Sequence, residues 1–225
     1  MTKFLRIALG SLILGLGILL VTGCANLDST PDGAIGEAKM PENFQVVAEG
    51  ILWRGARPGT PNEYQWLIEK GVKTIVNLEF VYNDLGPLER PLKQHSLRTR
   101  EIAAINYAQI REREWDVVFD KKKAEDDVVR FIKLSKDDSK WPIYVHCREG
   151  KNRTGVAVAA YRVLVGNTAV AEAVEEMGRY RGFWFAYDKE FIESLANQEK
   201  RKHVNQRIAD PKDEATSTQR ITLIR

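Results

Sequence analysis

An α/β fold, with a central, mostly parallel, twisted sheet flanked by helices, is what this 225-residue sequence predicts. Three observations point there. Short runs of β-branched and aromatic residues alternate along the chain with segments of helical period, the order expected of βαβ units. One apolar run, Trp141-Pro142-Ile143-Tyr144-Val145, reads as a buried central strand. That strand feeds a short polar loop and then the apolar stretch Val156 to Tyr161, so an anion-binding loop sits between a central strand and a helix N-terminus.

The elements follow in chain order. Residues 1–23 stand apart from the fold: Lys3 and Arg6 form a positive start, and Ile7 to Leu20 is an apolar run of signal-peptide length, short for a membrane span. Residues 24–43 are rich in Asn, Asp, Ser, Thr, Pro and Gly and read as a tether. The domain proper is expected over 44–196. Phe44 to Val47 and Ile51 to Trp53 form two strands around the turn Glu49-Gly50. Arg54 and Arg57 follow and are assigned to structural ion pairs rather than to a cleft. Thr60 caps a helix over Pro61 to Lys70, with Pro at its first position and Gly71 as its stop. Val72 to Leu78 is a strand. Pro87 to Leu97 has helical spacing that Pro91 interrupts, and His95 within it reads as a surface or partly buried side chain.

Ile102 to Ile110 is the next strand, followed by the acidic segment Arg111 to Asp120. Lys121 to Lys136 carries Ala124, Val128, Phe131 and Ile132 along one side and charges opposite, which predicts an amphipathic helix. After the central strand and its loop, Thr154 to Val165 is an apolar helix and Ala169 to Met177 another, capped by Thr168. Arg179 to Phe185 is an aromatic, basic turn at the core edge, and Tyr187 to Ala196 a last helix. Residues 197–225 are polar, with Pro211 inside, and read as a frayed helix and a disordered tail.

Composition narrows the function. The chain is 44% hydrophobic and 29% charged, with 34 Lys and Arg against 31 Asp and Glu. Without Lys3 and Arg6 the balance is 32 against 31, and no basic stripe interleaved with aromatics occurs, so nothing argues for a nucleic-acid partner. Cys24 and Cys147 are the two cysteines. If Cys24 is modified, Cys147 has no disulfide partner and stands out as a reactive thiol.

The chemistry concentrates in His146-Cys147-Arg148-Glu149-Gly150-Lys151-Asn152-Arg153-Thr154. Five residues between Cys147 and Arg153 suffice to curl once around a phosphate with backbone N–H groups inward. Gly150 permits the backbone such a curl needs. Arg153 can grip two phosphate oxygens with its fork, and the positive field at the helix start favours the Cys147 thiolate.

This stretch resembles the signature of the cysteine-dependent protein tyrosine phosphatases, and its short form resembles the dual-specificity subgroup. The resemblance implies a phosphatase-like fold. It also implies attack by Cys147 on phosphorus, a phosphocysteine intermediate, substrate contacts by Arg148, Glu149, Gly150, Lys151, Asn152 and Thr154, and neither metal nor cofactor. It further places a general-acid loop in the segment after the Ile102–Ile110 strand. There Asp116, 31 residues before Cys147 and preceded by Trp115, is the expected acid, with Asp120 and Glu114 as alternatives. Arg148 and Lys151 resemble the basic form found in members that act on phosphoinositides, while Glu149 departs from the usual small residue. Arg148 and Glu149 are open to pairing with each other. The expected substrate is a phosphorylated protein, with an inositol phosphate or phosphoinositide as the alternative and a non-catalytic phosphate-binding module as a third reading. Val21-Thr22-Gly23-Cys24 resembles a bacterial lipoprotein box, which implies a lipid anchor on Cys24 and a place in the cell envelope, with Ala25 pointing to the outer membrane.

Overall fold

The computed structural model describes residues 36–99, 104–113, 116–180, 182–213 and 219–222. The signal segment, Cys24 and most of the tether lie outside the described residues, as do Glu114 and Trp115. The strands are β1 (Gln45–Ala48), β2 (Leu52–Ala56), β3 (Thr74–Asn77), β4 (Ala104–Gln109), β5 (Ile143–Cys147) and β6 (Gln219–Thr222). The longer helices are α1 (Pro61–Glu69), α2 (Leu85–Thr99), α4 (Lys121–Ser135), α5 (Asn152–Leu164), α6 (Val170–Gly178), α7 (Phe185–Glu193) and α8 (Gln198–Ala209), with a single turn, α3 (Asp116–Phe119), before α4.

The sheet order is β1-β2-β5-β3-β4-β6. Strands β2, β5, β3 and β4 run parallel, and β1 and β6 close the two edges antiparallel. The fold is therefore the α/β arrangement the sequence predicts, with the Cys147 strand at its centre.

Alternation along each strand separates two apolar layers. Trp53, Ile75, Tyr107 and Tyr144 stand in register on one face and pack with Tyr64 and Leu67 of α1 and Leu88 and Leu92 of α2. Leu52, Val76, Ala108, Val145 and Cys147 face the other way, onto α4, α5, α6, α7 and α8. Helix α5 is apolar nearly all round because this second layer encloses it.

Besides Thr168, which does not cap α6 because Ala169 stands at its N-cap, two expectations change. Helix α2 runs unbroken through Pro91. An internal proline costs a helix roughly 3 kcal/mol, but Leu88 and Leu92 on the same face are wholly buried between α1 and the sheet, and that burial offsets it. The second change is in the C-terminal stretch, read as a frayed helix and disordered tail. Residues 198–209 form α8, and 219–222 add β6 to the edge of β4. Helix α8 lacks an apolar stripe and is held mainly by charge: Arg207 pairs with Glu125 at 2.9 Å and Asp126 at 2.7 Å, and Lys200 pairs with Glu125 at 2.9 Å, all on α4. Hydropathy carries no trace of such docking.

Val204 is the buried apolar anchor of α8, 1% exposed. Val204→Ala is expected to lower the unfolding free energy by about 1–3 kcal/mol, read from urea denaturation. An unchanged midpoint would mean that α8 contributes nothing to the core.

Candidate active site

Strand β5 ends at Cys147, which is 2% exposed. Residues 148–151 turn, and α5 begins at Asn152, so Arg153 and Thr154 lie in its first turn. The loop curls because its carbonyls are drawn outward one after another. The Arg57 N–H donates to the Cys147 carbonyl at 2.8 Å and to that of Arg148 at 3.4 Å. Asn43 Nδ2 donates to the Glu149 carbonyl at 2.9 Å. Arg54 Nη2 donates to the Gly150 carbonyl at 2.5 Å. The Lys151 carbonyl takes the helical N–H of Gly155 at 2.7 Å. Carbonyls tied to donors outside the loop are the arrangement that an anion nest at a helix N-terminus requires.

Gly150 is required twice over. Its φ is +69°, and a Cβ there would lie 2.4 Å from the Gly55 carbonyl carbon. Gly55 is in turn crowded by the Tyr144 ring, whose hydroxyl donates to the Ala56 carbonyl at 2.6 Å. The loop between Cys147 and Arg153 thus presses directly on the end of β2.

The expected residues divide. Cys147, Gly150, Arg153 and Thr154 come together in the loop and first turn. Arg153 is 9% exposed and Thr154 wholly buried. Arg153 Nη1 donates to the carbonyls of Leu78 and Glu112 at 3.4 Å each, which aims the guanidinium across the ends of β3 and β4. Asn152 instead donates to Asp188 of α7 at 3.2 Å. Lys151 pairs with Glu149 at 3.2 Å, leaving Arg148 exposed. Arg148 does not pair with Glu149. It lines a cleft of about 710 Å³ together with Arg57, Arg153, Glu79 and residues 80–83.

Asp116 is not on that cleft wall. Its carboxylate is 3% exposed, accepts from the Arg113 N–H at 3.0 Å and lies 3.4 Å from Lys123 Nζ. Asp120 is exposed and caps α4 through the Lys123 N–H at 3.0 Å. Glu114 lies outside the described residues.

Three groups were misread or missed in the sequence. Arg54, assigned there to a structural ion pair, instead donates to the Gly150 carbonyl and forms no ion pair with a carboxylate among the described residues. Glu112 is the second: it is 4% exposed beside the carbonyl that holds Arg153. Burial pushes its carboxyl well above the usual range, the charge of Asp127 adds to this, and Arg153 opposes it. Burial at this position thus disfavours the charged form of Glu112 beside Arg153. The third is Asp84. His146 Nε2 lies 3.3 Å from Asp84 Oδ2, and both side chains are wholly buried. Asp84 also accepts from Asn77 Nδ2 at 2.6 Å and from the Tyr64 hydroxyl, and its own N–H donates to the Tyr107 hydroxyl at 3.2 Å. Burial raises its carboxyl, but the charge of His146 and hydrogen bonds from His146, Tyr64 and Asn77 bring it below the ordinary value. An Arg in a strand otherwise read as apolar was a usable signal for Arg54; no spacing announces Asp84.

A parallel sheet whose central strand ends in this Cys-loop-Arg nest defines a phosphatase of the tyrosine and dual-specificity type. The family described as DSP-PTPase phosphatase fused to NAD+ kinase matches residues 24–194, and the chain belongs to it. Among curated relatives, it is 28% identical over 157 residues to inositol diphosphatase DSP3 of Arabidopsis thaliana, covering 69% of this chain and 70% of that one. It is 28% identical over 117 residues, 52% of this chain, to a probable chloroplastic NAD kinase 2 of rice, of which it spans only 11%. Among solved structures, the core catalytic domain of the PP-IP phosphatase Siw14 of S. cerevisiae, in complex with citrate, aligns with a TM-score of 0.57 at 23% identity, over 76% of this chain and 95% of that one. P. aeruginosa TpbA aligns with a TM-score of 0.53 at 21% identity, over 74% and 96%. At these identities the two structures speak for the fold.

The Asp84 carboxylate is depressed in the folded state, so its contribution is complete above the ordinary carboxylate range, about pH 4, and is lost as pH falls below it. Asp84→Asn is expected to be less stable than the parent at pH 7 by about 1–3 kcal/mol, with the gap closing on acidification. A gap that stays constant down to pH 3 in urea titrations would rule out a charged Asp84.

Proposed function

We propose that this protein hydrolyses phosphate esters through Cys147. The Cys147 thiolate attacks phosphorus, the ester P–O bond breaks, and the leaving oxygen takes a proton from a carboxyl. Water then attacks the phosphocysteine, gives its proton back to that carboxylate and releases phosphate and the thiolate. The observation that carries this is the nest itself, with outward-tied carbonyls around a buried cysteine and Arg153 at the mouth. Arg153 and the loop amides stabilise the charge that gathers on the equatorial oxygens. Asp116, assigned by resemblance, and Glu112, whose carboxyl burial pushes well above the usual range beside Arg153, are candidates for the acid among the described residues of the β4–α4 segment.

For the substrate, an inositol phosphate or phosphoinositide is the better fit, although the sequence alone favours a phosphoprotein. Arg148 stands on the same cleft wall as Arg153 with no carboxylate paired to it among the described residues, placed for a second phosphate. The Arabidopsis relative named for inositol diphosphate chemistry supports this reading. A phosphotyrosine reading rests on the apolar lip of the cleft, Phe80 and Val81, 39% and 87% exposed.

Cys147→Ser is expected to lower turnover of every substrate by at least about 10³-fold. Arg148→Ala is expected to lower kcat/KM roughly fivefold for an inositol polyphosphate and to leave p-nitrophenyl phosphate unchanged. A comparable loss confined to phosphotyrosyl peptides would replace the inositol reading with the protein one, and full activity of Cys147→Ser would end both. In the same assay the acid is the residue, Asp116→Asn or Glu112→Gln, whose loss is deep for an alkyl phosphate and shallow for p-nitrophenyl phosphate.

We also infer that Cys24 carries a lipid and anchors the domain in a bacterial envelope. The support is the charged start, the apolar run and the Val-Thr-Gly-Cys order. Expressed in a bacterial host, the chain is expected to incorporate radiolabelled palmitate and to lose it in Cys24→Ser. A label-free, soluble mature protein would overturn the assignment.

A further inference from the structure

The phosphate loop rests on a buried cation that the reaction above leaves unused. Arg54 of β2 is wholly buried. Its Nη2 donates to the Gly150 carbonyl at 2.5 Å, and its guanidinium carbon lies 4.3 Å from the centre of the Tyr180 ring. Its Nε is buried without a hydrogen-bond partner. No carboxylate forms an ion pair with it among the described residues; Glu176, the acidic group nearest in influence, is held by Arg162 at 2.9 Å. Burial accordingly pulls this guanidinium below its ordinary value, and the charges of Tyr180, Glu176 and Cys147 act the other way.

A buried cation without a carboxylate is costly unless another anion answers it. On the far side of the Gly150 peptide lies the nest, whose occupants are the Cys147 thiolate and a phosphate dianion. We propose that Arg54 is a positioning residue and the buried counter-charge of the phosphate site, turning the Gly150 carbonyl out of the loop and favouring both the Cys147 thiolate and bound oxyanion. This rests on the reading of residues 146–154 as a phosphate site.

The other charged and titratable groups around this pair come from several elements. Arg153 stands on α5, and His146 with Asp84 lies on the opposite face of the sheet. Glu112 follows β4, Asp188 is on α7, and Tyr144 is committed to the Ala56 carbonyl. Among the described residues, the Arg54 side chain holds a loop carbonyl and carries a positive charge with no carboxylate ion pair.

The test needs no turnover. In the full chain, alkylation of Cys147 by iodoacetamide is followed from pH 4 to 9 by mass spectrometry of its peptide, and tungstate serves as the oxyanion probe. In Arg54→Met the midpoint of the alkylation profile is expected to rise by about one pH unit and tungstate binding to weaken about tenfold. In Arg54→Lys the charge remains and the fork is lost, so the midpoint is expected to hold while tungstate binding weakens. A folded Arg54→Met with parental midpoint and tungstate affinity, and only a lower melting temperature, makes Arg54 structural and overturns the proposal. If Arg54→Met does not fold, parental tungstate affinity in Arg54→Lys overturns it just as well. Absence of tungstate binding to the parent itself would instead sink the phosphate-site reading.

Discussion

The structure turns on one geometric demand: the carbonyls of residues 147–150, between β5 and α5, must find donors outside their own loop. A loop this short cannot satisfy them internally, so donors have to come from elsewhere. Asn43, Arg54 and the Arg57 N–H supply them, all from the segment around the β1–β2 hairpin. That is why β2 lies beside β5, and why Gly55, Gly150 and the Tyr144 hydroxyl meet with no room for a side chain. The hairpin contributes little regular structure of its own. Its contribution is a wall of donors behind the nest.

The same demand explains the unusual charges in the interior. Arg54 and Arg153 are buried cations on the α5 face of the sheet, whereas Asp84 is a buried anion on the α1–α2 face, tied to His146. His146 and Cys147 are adjacent on one strand, so the pleat sends them to opposite faces. The sheet therefore separates a positive environment around the thiol from the carboxylate that orients its neighbour. Glu112 lies on the positive side, where burial pushes its carboxyl well above the usual range.

Much of this was legible because the signals were local. Period-two and helical patterns located β1 to β5 and the major helices up to α7, and the Cys-loop-Arg spacing located the nest with Cys147, Gly150, Arg153 and Thr154 in it. Non-local features were hidden. Helix α2 crosses Pro91 because Leu88 and Leu92 find a deep slot that local propensity does not register. Helix α8 docks by ion pairs onto an acidic face of α4, and β6 pairs antiparallel with β4. Asp84 meets His146 only because parallel strands β3 and β5 are neighbours. Asp116 was singled out by its sequence neighbourhood, and the fold gives its carboxylate to Lys123 and Arg113.

Charge pairing within the loop decides how much positive field the cleft offers. Counted in the sequence, Arg148, Lys151 and Arg153 give three cations against one anion, Glu149. In the fold the four do not act as a sum. Glu149 and Lys151 neutralise each other on the outer rim at 3.2 Å, in water, where such a pair is worth little and is easily exchanged. Arg153 is sequestered by the ends of β3 and β4. Opposite, Glu79 holds Arg57 at 3.3 Å and Tyr82 stacks under it, so that guanidinium is fixed in place and partly neutralised. What remains facing the cleft without a carboxylate ion pair among the described residues is Arg148. The exposed positive charge of the cleft wall is therefore set less by a sum over the loop than by the one arginine that Glu149 leaves alone.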